Sequence, residues 1–234
     1  MSQPRIILHQ WFISPFCGKI RKVLAYKGLA YETVEYAGLL SLKVKGVSPA
    51  GKLPVLDLDG ERIQDSSTIA RVLEARFPTP SLLPRQPAAR HLAHLLEDWA
   101  DESLYWFEMW ARFCNPAVRD RVAVLIADGR PSFERPLVKW GTRRYVQAVK
   151  TQGLSRYSDE HILGELRAHL TAIDGLLENS AWLTGDEPSI ADVAVSAQLD
   201  EFKRTSPLAA EFDSFKRLSA WLPRCQFELA RNVA

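Results

Sequence analysis

Residues 13 to 18, ISPFCG, follow a short apolar run and open a helical pattern. The order S-P-F-C has the spacing of a C-x-x-C redox turn, with Ser14 in the place of the first, nucleophilic cysteine. A serine hydroxyl does not ionise near neutral pH and forms no disulfide. The start of a helix presents free N–H groups and the positive end of the helix dipole, which stabilise an anion. Two interpretations follow: Ser14 only caps the helix, or its hydroxyl donates a hydrogen bond to a thiolate that a ligand supplies.

Cys17 is the alternative reactive group of the same turn. It lies three residues into the predicted helix, where the helix dipole lowers the pKa of a thiol. A mixed disulfide between Cys17 and a thiol ligand is therefore a second hypothesis. The second cysteine position of such a turn is normally the more buried one, which favours Ser14 as the working group.

Two later stretches also carry polar groups at element boundaries. In QDSSTIARVLE, Asp65 and Ser66 open a helix, where they are either caps or the recognition site for an amino acid. In the second case Asp65 pairs with an ammonium, while the Ser66 hydroxyl and the helix N-terminus hold a carboxylate. In GKLPVLDLDG, Pro54 has no backbone N–H to donate to a neighbouring strand. It therefore either starts a strand or occupies a special turn.

Short strands and helices alternate from residue 5 to residue 77 and would position these groups. Strands are predicted over 5–11 and 31–36, and two more flank the Asp59–Gly60 turn. Helices are predicted from Ser14 to Gly28 and over 66–77, with an irregular or helical stretch over 39–51. The order β-α-β-α-β-β-α most economically builds a four-stranded sheet whose first two strands are parallel.

The second part of the chain has a helical pattern. Four prolines within residues 78–87 predict a linker, which gives domains at 1–78 and 89–234 joined by 79–88. Ser189 and Asp192 form an S-x-x-D capping box before the apolar run of SIADVAVSAQLDEF, and we interpret them as structural. The other helices are predicted over 91–113, 116–128, 134–151, 159–179 and about 212–230.

The composition excludes several classes of protein. The chain has 234 residues, a formal net charge of +2 and interspersed charges, so nucleic acid is not an expected partner. Neither a signal core nor an apolar run long enough to cross a membrane is present, and a membrane is not an expected partner. Three widely spaced cysteines indicate neither a disulfide framework nor a zinc site, and together with these features they predict a cytoplasmic protein without a metal.

The sequence resembles a known family through four stretches in order. SPFCGKIRKVLAYKG, GKLPVLDLDG, QDSSTIARVLE and LTGDEPSIADVAVSAQL, with the proline-rich linker between them, resemble the cytosolic glutathione S-transferases. The resemblance covers residues 1–85 well and 160–200 reasonably, whereas 114–158 fit poorly. It implies a thioredoxin-like N-terminal domain with a four-stranded mixed sheet, an all-helical C-terminal domain, glutathione as co-substrate and a two-fold dimer. The class stays open, because the serine is similar to the theta and zeta classes and the SPFC turn to the omega class.

The resemblance also implies roles for individual residues. Ser14 matches the activating serine of the theta and zeta classes. Leu53, before an expected cis Pro54, would pair its backbone with the cysteinyl part of glutathione. Asp65 and Ser66 match the pair that binds the γ-glutamyl end. The ligand of the glycyl carboxylate stays open among three lysines, Lys43, Lys45 and Lys52.

A second site would hold a hydrophobic electrophile, lined by apolar side chains of both domains. The aromatic residues expected there are Phe12, Phe16, Trp99, Trp106 and Trp110. An aromatic stripe at helical spacing is also typical of a core, so each residue keeps both interpretations. The resulting hypothesis is a glutathione transferase. The alternatives are a glutathione-dependent thiol reductase that uses Cys17, an isomerase, or a non-catalytic binding or stress-response protein. In the last case the poorly fitting residues 114–158, called the insert below, would provide a cationic partner surface.

Overall fold

A computed structural model describes residues 3–227. Its first part is a four-stranded mixed sheet with the strand order β2-β1-β3-β4. The strands are β1 (Ile6–Gln10), β2 (Glu32–Glu35), β3 (Val55–Leu58) and β4 (Glu61–Gln64). β1 pairs with β2 in parallel, while β3 runs antiparallel to both of its neighbours. The four-stranded mixed sheet predicted from the sequence is thus confirmed.

Helix α1 (Pro15–Tyr26) begins and ends where its sequence predicts. The Ser14 side chain caps its first turn, and Pro15 occupies the first helical position, where a missing N–H costs nothing. Gly28 has a φ of 65°, the left-handed conformation that commonly ends a helix. A 3₁₀ segment (Gly38–Gly46) and helix α2 (Ser66–Arg76) complete the βαβαββα order.

The hairpin between β3 and β4 is set by its two-residue turn. Asp59 and Gly60 have φ values of 52° and 90°, which is the pattern of a type I′ turn. Such turns favour Asp-Gly because both central residues need a positive φ. The turn places the start of β3 beside the end of β4.

The second part of the structure is helical. Residues 77–86, between α2 and the next helix, contain neither helix nor strand. Within the described chain the following α-helices are α3 (Pro87–Trp99), α4 (Tyr105–Phe113), α5 (Pro116–Ile126), α6 (Glu134–Gly141), α7 (Arg143–Gln152), α8 (Asp159–Leu176), α9 (Ile190–Thr205) and α10 (Lys216–Trp221). A π-helical turn (Ala100–Leu104) joins α3 to α4. No helix in residues 3–227 is long and apolar enough to span a bilayer.

Two predicted helices differ from those observed. The one predicted over 134–151 is divided into α6 and α7 at Thr142, whose hydroxyl bonds back to the Lys139 carbonyl at 2.7 Å and favours a bend. The one predicted over about 212–230 is α-helical only in α10, between 3₁₀ segments at Pro207–Ser214 and Leu222–Cys225. Pro223 lacks the N–H needed to continue α10. Residues 228–230 of that prediction lie outside the described residues.

Helix α9 is the central helix of the second part and packs on α1. Gly18 lies at this contact, where an added Cβ would be in ordinary van der Waals contact, 3.8 Å, with the Ala197 side chain. The capping box predicted for α9 is present: the Asp192 carboxylate accepts bonds from the Ser189 and Leu183 backbone N–H groups and from Trp221 Nε1, each at 2.9 Å. These residues are structural, as their spacing predicts.

Candidate active site

The sheet register brings the predicted site segments to one edge of the first domain. Val55 of β3 pairs with His9 of β1 on one side and with Gln64 of β4 on the other. The turn after β1, the residues before β3 and those after β4 therefore lie side by side, because neighbouring strands are about 4.8 Å apart. Ser14, the Leu53–Pro54 pair and the Asp65–Ser66 pair meet at this edge.

Ser14 is the N-cap of α1 and lies in the turn after β1, at this edge. Only 8% of its surface is exposed. Its Oγ accepts a long hydrogen bond, 3.4 Å, from the Cys17 backbone N–H, so the hydroxyl proton is available to donate. The helix N-terminus adds a positive potential at the same place. The turn can thus hold and stabilise a small anion.

Cys17 belongs to the same turn, but its thiol is not accessible from solvent. Its surface is fully buried, and its sulfur accepts a hydrogen bond from the Trp11 backbone N–H at 3.4 Å. Burial raises the pKa of the Cys17 thiol to about 11. A neutral, inaccessible thiol is a poor nucleophile, so the geometry favours Ser14 over Cys17.

Asp65 and Ser66 open helix α2 in an unusual backbone conformation. Asp65 has a φ of 72° and a ψ of 127°, and its carboxylate caps the helix by accepting from the Thr68 backbone N–H at 2.9 Å. A positive φ at a non-glycine residue costs roughly 1 to 3 kcal/mol and is common at ligand-binding positions. Asp65 is exposed while Ser66 is buried, so a ligand can reach the carboxylate from solvent.

The loop before β3 is held against the same edge. The Leu53–Pro54 peptide bond is cis, as the resemblance implies. The Ser48 hydroxyl donates to Gln64 Oε1 at 3.1 Å and accepts from the Lys52 backbone N–H at 3.2 Å. This hydroxyl therefore ties the cis-proline loop to the end of β4, directly before Asp65.

The three lysines predicted for the glycyl carboxylate are all exposed near this loop. Lys43 and Lys45 belong to the 3₁₀ segment, and Lys52 lies in the loop itself. The Lys45 side chain runs beside Gly51, where an added Cβ would lie 3.8 Å from its Cγ. The Lys45 side chain thus lies against the loop one residue before Lys52.

A buried arginine of the helical part anchors the Ser14 turn. Arg112 of α4 is 2% exposed, and its Nη2 donates to the Ile13 carbonyl at 3.1 Å and to Glu201 at 3.0 Å. Its Nε donates to the Thr205 hydroxyl at 2.8 Å, and its Nη1 lies 2.9 Å from Glu108. Because Ile13 directly precedes Ser14, Arg112 fixes the backbone that positions the hydroxyl.

A second buried ion cluster joins α1, α2 and the π-helical turn. Lys19 is 1% exposed, and its Nζ lies 2.6 Å from Glu97 and 2.7 Å from Asp101 and donates to the Ser67 hydroxyl at 2.9 Å. Burial raises the pKa of Asp101, and the nearby Lys19 ammonium opposes that rise. The cluster lies directly behind Ser66 and couples the two parts of the molecule.

The predicted second-substrate aromatics fall in different places. Phe16 packs on Tyr105 with ring centres 4.9 Å apart, and Trp106 contacts the same tyrosine at 5.3 Å. Trp99 packs against His169 of α8 at 5.3 Å, and Trp110 is 8% exposed with its Nε1 bonded to Asp159. The last two are therefore part of the packing of the helical domain, because Trp99 of α3 and Trp110 of α4 both contact residues of α8.

Phe12 lies on the other side of the Ser14 turn. It is 54% exposed, and the guanidinium groups of Arg21 and Arg204 each lie 5.0 Å from its ring centre. It lines a groove of about 490 Å³ between α1 and α9. Phe12 can thus contact a ligand, in a cationic rather than purely apolar setting.

The insert contributes residues that the sequence interpretation missed. Tyr145 of α7 stacks on Trp11 at 6.4 Å and on Phe113 at 4.6 Å, next to the Ser14 turn. Glu134 of α6 is 2% exposed and accepts from the Leu39 backbone N–H at 2.8 Å. The insert thereby reaches the 3₁₀ segment of the first domain.

The sequence did contain a signal for the buried Arg112 network, which the sequence-based predictions did not use. Glu108 and Arg112 lie four residues apart within the aromatic run YWFEMWARF, which is the spacing of a helical ion pair. Charged side chains inside such an apolar run are usually buried only when they are paired with an opposite charge. The spacing of Glu108 and Arg112 therefore indicated a buried ion pair. Lys19 and Tyr145 offered no comparable pattern, because their partners are distant in sequence.

Family models match both parts of the chain. The model of the glutathione S-transferase N-terminal domain matches residues 8–81, and that of the C-terminal domain matches residues 147–224. Helices α5 and α6 fall between the two matches, within the stretch that fits the resemblance poorly.

Curated and solved proteins agree with these matches. The chain is 29% identical over 196 residues to the isoprene-epoxide glutathione S-transferase of Rhodococcus sp. strain AD45, covering 80% of this chain and 79% of that one. It is 30% identical over 212 residues to the maleylacetoacetate isomerase of Mus musculus, covering 87% and 81%. A glutathione S-transferase structure from Rhodospirillum rubrum F11 has the same fold, with a TM-score of 0.63, 24% identity and coverage of 93% and 86%. The chain therefore belongs to the glutathione S-transferase family of enzymes.

Proposed function

We propose that this protein adds the thiolate of glutathione to a hydrophobic electrophile. The observation that carries the proposal is the Ser14 hydroxyl at the start of α1, beside the cis-proline loop and the Asp65–Ser66 helix start. Leu53 would pair with the cysteinyl backbone and Asp65 with the γ-glutamyl ammonium. Ser66 would hold the γ-glutamyl carboxylate, and Lys43, Lys45 or Lys52 the glycyl carboxylate.

The chemistry that follows is a nucleophilic substitution or addition. Bound glutathione loses its thiol proton to solvent, and the Ser14 hydroxyl and the α1 N-terminus stabilise the resulting thiolate. The sulfur lone pair then forms an S–C bond, while the electrons of the broken bond go to the leaving group or the opened ring. Phe16, Tyr105 and Trp106 supply an apolar surface beside the Ser14 turn.

The replacement Ser14→Ala tests this mechanism. A hydrogen bond to a charged group contributes about 1.5 to 3 kcal/mol, so kcat/KM for conjugation falls roughly 10- to 100-fold. The pH at which the rate reaches half its maximum moves upward, since a higher pH is needed to ionise the thiol. Steady-state assays with glutathione and an aryl halide or epoxide across pH measure both effects.

Ser158→Ala is the matched control. Ser158 caps α8 in the same way that Ser14 caps α1, by accepting from the backbone N–H three residues on. A loss of capping alone would therefore affect both variants alike. The mechanism is wrong if Ser14→Ala keeps the turnover and the pH profile of Ser158→Ala.

Isomerisation is a second candidate function. The 30% identity to the mouse maleylacetoacetate isomerase over 87% of this chain favours it. In an isomerisation glutathione adds to a double bond and leaves again, so no glutathione is consumed. Mass spectrometry of the products distinguishes the two: a stable glutathione adduct supports transfer, while an isomerised acid with free glutathione supports isomerisation.

A thiol reductase and a non-catalytic protein are the remaining alternatives. The burial of Cys17 opposes a reductase mechanism, which needs an accessible thiolate. Calorimetry tests the non-catalytic alternative, because a protein that fails to bind glutathione at millimolar concentration has no conjugating function.

The proposal also covers the cell compartment, the role and the oligomeric state of the enzyme. Cys17, Cys114 and Cys225 are free thiols, which fits a reducing, cytoplasmic compartment and a detoxifying role there. By resemblance we expect a two-fold homodimer. Light scattering on the purified protein should give twice the mass of the chain, and a monomer mass would reject this part of the proposal.

A further inference from the structure

Helix α6, in the insert outside both family matches, exposes a stripe of large apolar side chains. Phe133, Leu137 and Trp140 are 66%, 51% and 71% exposed. Their spacing of four and three residues places them on one face of the helix. Val124 and Leu125 on α5, the helix that α6 packs against, are exposed as well. Soluble proteins rarely expose grouped apolar side chains without a binding role.

A neighbouring face of α6, about 100° around the helix from the stripe, is fixed to the protein, so the stripe does not turn inward. Glu134 and Val138 are buried there. Glu134 accepts from the Leu39 backbone N–H at 2.8 Å and pairs with Arg130 at 2.6 Å. Gly38 permits this contact, since a Cβ there would collide with the Glu134 carboxylate. The stripe is therefore a rigid ridge that faces solvent.

The segment of the chain that carries the ridge is cationic. Residues 130–156 contain seven Lys and Arg side chains and one acid, Glu134, which is buried and paired. Lys139 pairs with Asp120 at 2.7 Å, while Arg135, Arg143 and Arg144 are exposed. Arg143 and Arg144 begin α7, directly after the helix that carries the ridge. An anionic surface complements this arrangement.

We propose that this ridge docks on an anionic lipid surface. Trp, Phe and Leu on one helix face with arginines at the flank are the features of a helix that lies in a membrane interface. A second copy of the chain would bring the same arginines together, and like charges in contact are unfavourable. The ridge projects outward, which suits insertion between lipid headgroups. The contact is peripheral and needs no membrane-spanning helix, so it revises the sequence-based expectation that a membrane is not a partner. It goes beyond the proposed conjugation by placing the enzyme where hydrophobic electrophiles partition.

Vesicle co-sedimentation of the full chain tests the proposal without an activity assay. The probes are vesicles of phosphatidylcholine alone and of phosphatidylcholine with phosphatidylserine. We expect binding to the second composition that weakens as salt rises, because charge attraction is screened. The double variant Arg143→Gln/Arg144→Gln should bind about 30-fold more weakly, since each cation near such a surface contributes about 1 kcal/mol.

Apolar variants and a matched control complete the experiment. Leu137→Ser/Trp140→Ser should lower binding at least about tenfold, because a fully buried large apolar side chain contributes roughly 1.5 to 3 kcal/mol. Leu95→Ser replaces a leucine of α3 that is 68% exposed away from the insert, and it should bind as the wild type does. Circular dichroism and glutathione binding show whether each variant is folded.

Three results would overturn the proposal. The first is no binding of the wild type to anionic vesicles at low salt. The second is equal binding of the wild type and both ridge variants. The third is a change of oligomeric state in Leu137→Ser/Trp140→Ser, which would make the ridge an interface between copies of the chain. Since none of these results depends on turnover, failure here leaves the conjugation proposal standing.

Discussion

Ser14 and Cys17 belong to the same helical turn but face different surroundings. Cys17 is fully buried and its thiol pKa is raised to about 11, so we expect Cys17→Ala to keep kcat/KM for conjugation within about twofold while losing roughly 1 kcal/mol of stability. Steady-state kinetics and urea unfolding measure the two effects. Loss of turnover in a variant that remains folded would give the sulfur a part in catalysis.

Arg112 acts on the site through the Ile13 carbonyl. Arg112→Lys keeps a buried cation beside Glu108 and Glu201 but lacks the planar fork that also reaches Ile13. We expect a fivefold or greater loss of kcat, roughly 1 kcal/mol, with an upward shift of the pH profile and little change in KM for glutathione. Arg121→Lys, on the exposed face of α5, is the control. An unchanged pH profile in folded Arg112→Lys would show that the arginine is only structural.

Glu108 should make stability depend on pH. Burial raises the pKa of Glu108 to about 8, with the nearby Arg112 opposing the rise and Glu201 adding to it. The unfolded chain releases this proton near pH 4.3. Between about pH 5 and 8 the folded state therefore holds one more proton, and the free energy of unfolding decreases as pH rises.

Replacing Glu108 removes that dependence. The melting temperature of Glu108→Gln should fall less than that of the wild type between pH 5 and pH 8, while Glu102→Gln, an exposed neighbour, should follow the wild type. Thermal unfolding across pH measures the difference. Parallel curves for wild type and Glu108→Gln would show that Glu108 is already ionised in the folded protein.

At the scale of elements, Lys19 joins three helical segments. Lys19→Met leaves Glu97 and Asp101 buried without the ammonium that faces both, and such losses cost about 3 to 5 kcal/mol. The cost should shrink below about pH 4, where carboxylates protonate. Urea unfolding at pH 7 and pH 4 measures it, with the exposed Lys150→Met as the control. A cost under 1 kcal/mol at pH 7 would contradict the described contacts.

Elements were predictable where their causes are local. The limits of α1 are set by Ser14 and Pro15 at its start and by Gly28 after its end. The hairpin is set by the Asp59–Gly60 turn. Capping and turn geometry depend on neighbouring residues, so both features can be predicted from the local sequence. The division at Thr142 and the π-helical turn were not predicted, since helical periodicity continues through both. The helix predicted over about 212–230 contains α10 but is too long, although Pro223 is a local signal that ends it.

At the scale of the molecule, the sheet order explains why the residues predicted for the site lie at one edge of the first domain. Ser14, Leu53–Pro54 and Asp65–Ser66 all follow or precede strands that the order β-α-β-α-β-β-α brings together. The residues that support them come from the helical part and the insert. Arg112 and Tyr145 reach the Ser14 turn through tertiary packing, which no local pattern specifies. Helical spacing does not tell which face of an aromatic helix meets the cleft, so the contacts of Trp99 and Trp110 with α8 could not be predicted.

The most direct test of the account is the thiol pKa of glutathione bound to the enzyme, measured by ultraviolet titration of thiolate absorbance. An ordinary cysteine thiol has a pKa of about 8.5. We expect a value below this in the wild-type complex and in the Cys17→Ala complex, and a return towards about 8.5 in the Ser14→Ala complex. A bound thiol whose pKa is lowered equally in wild type and Ser14→Ala would contradict the activating role of Ser14.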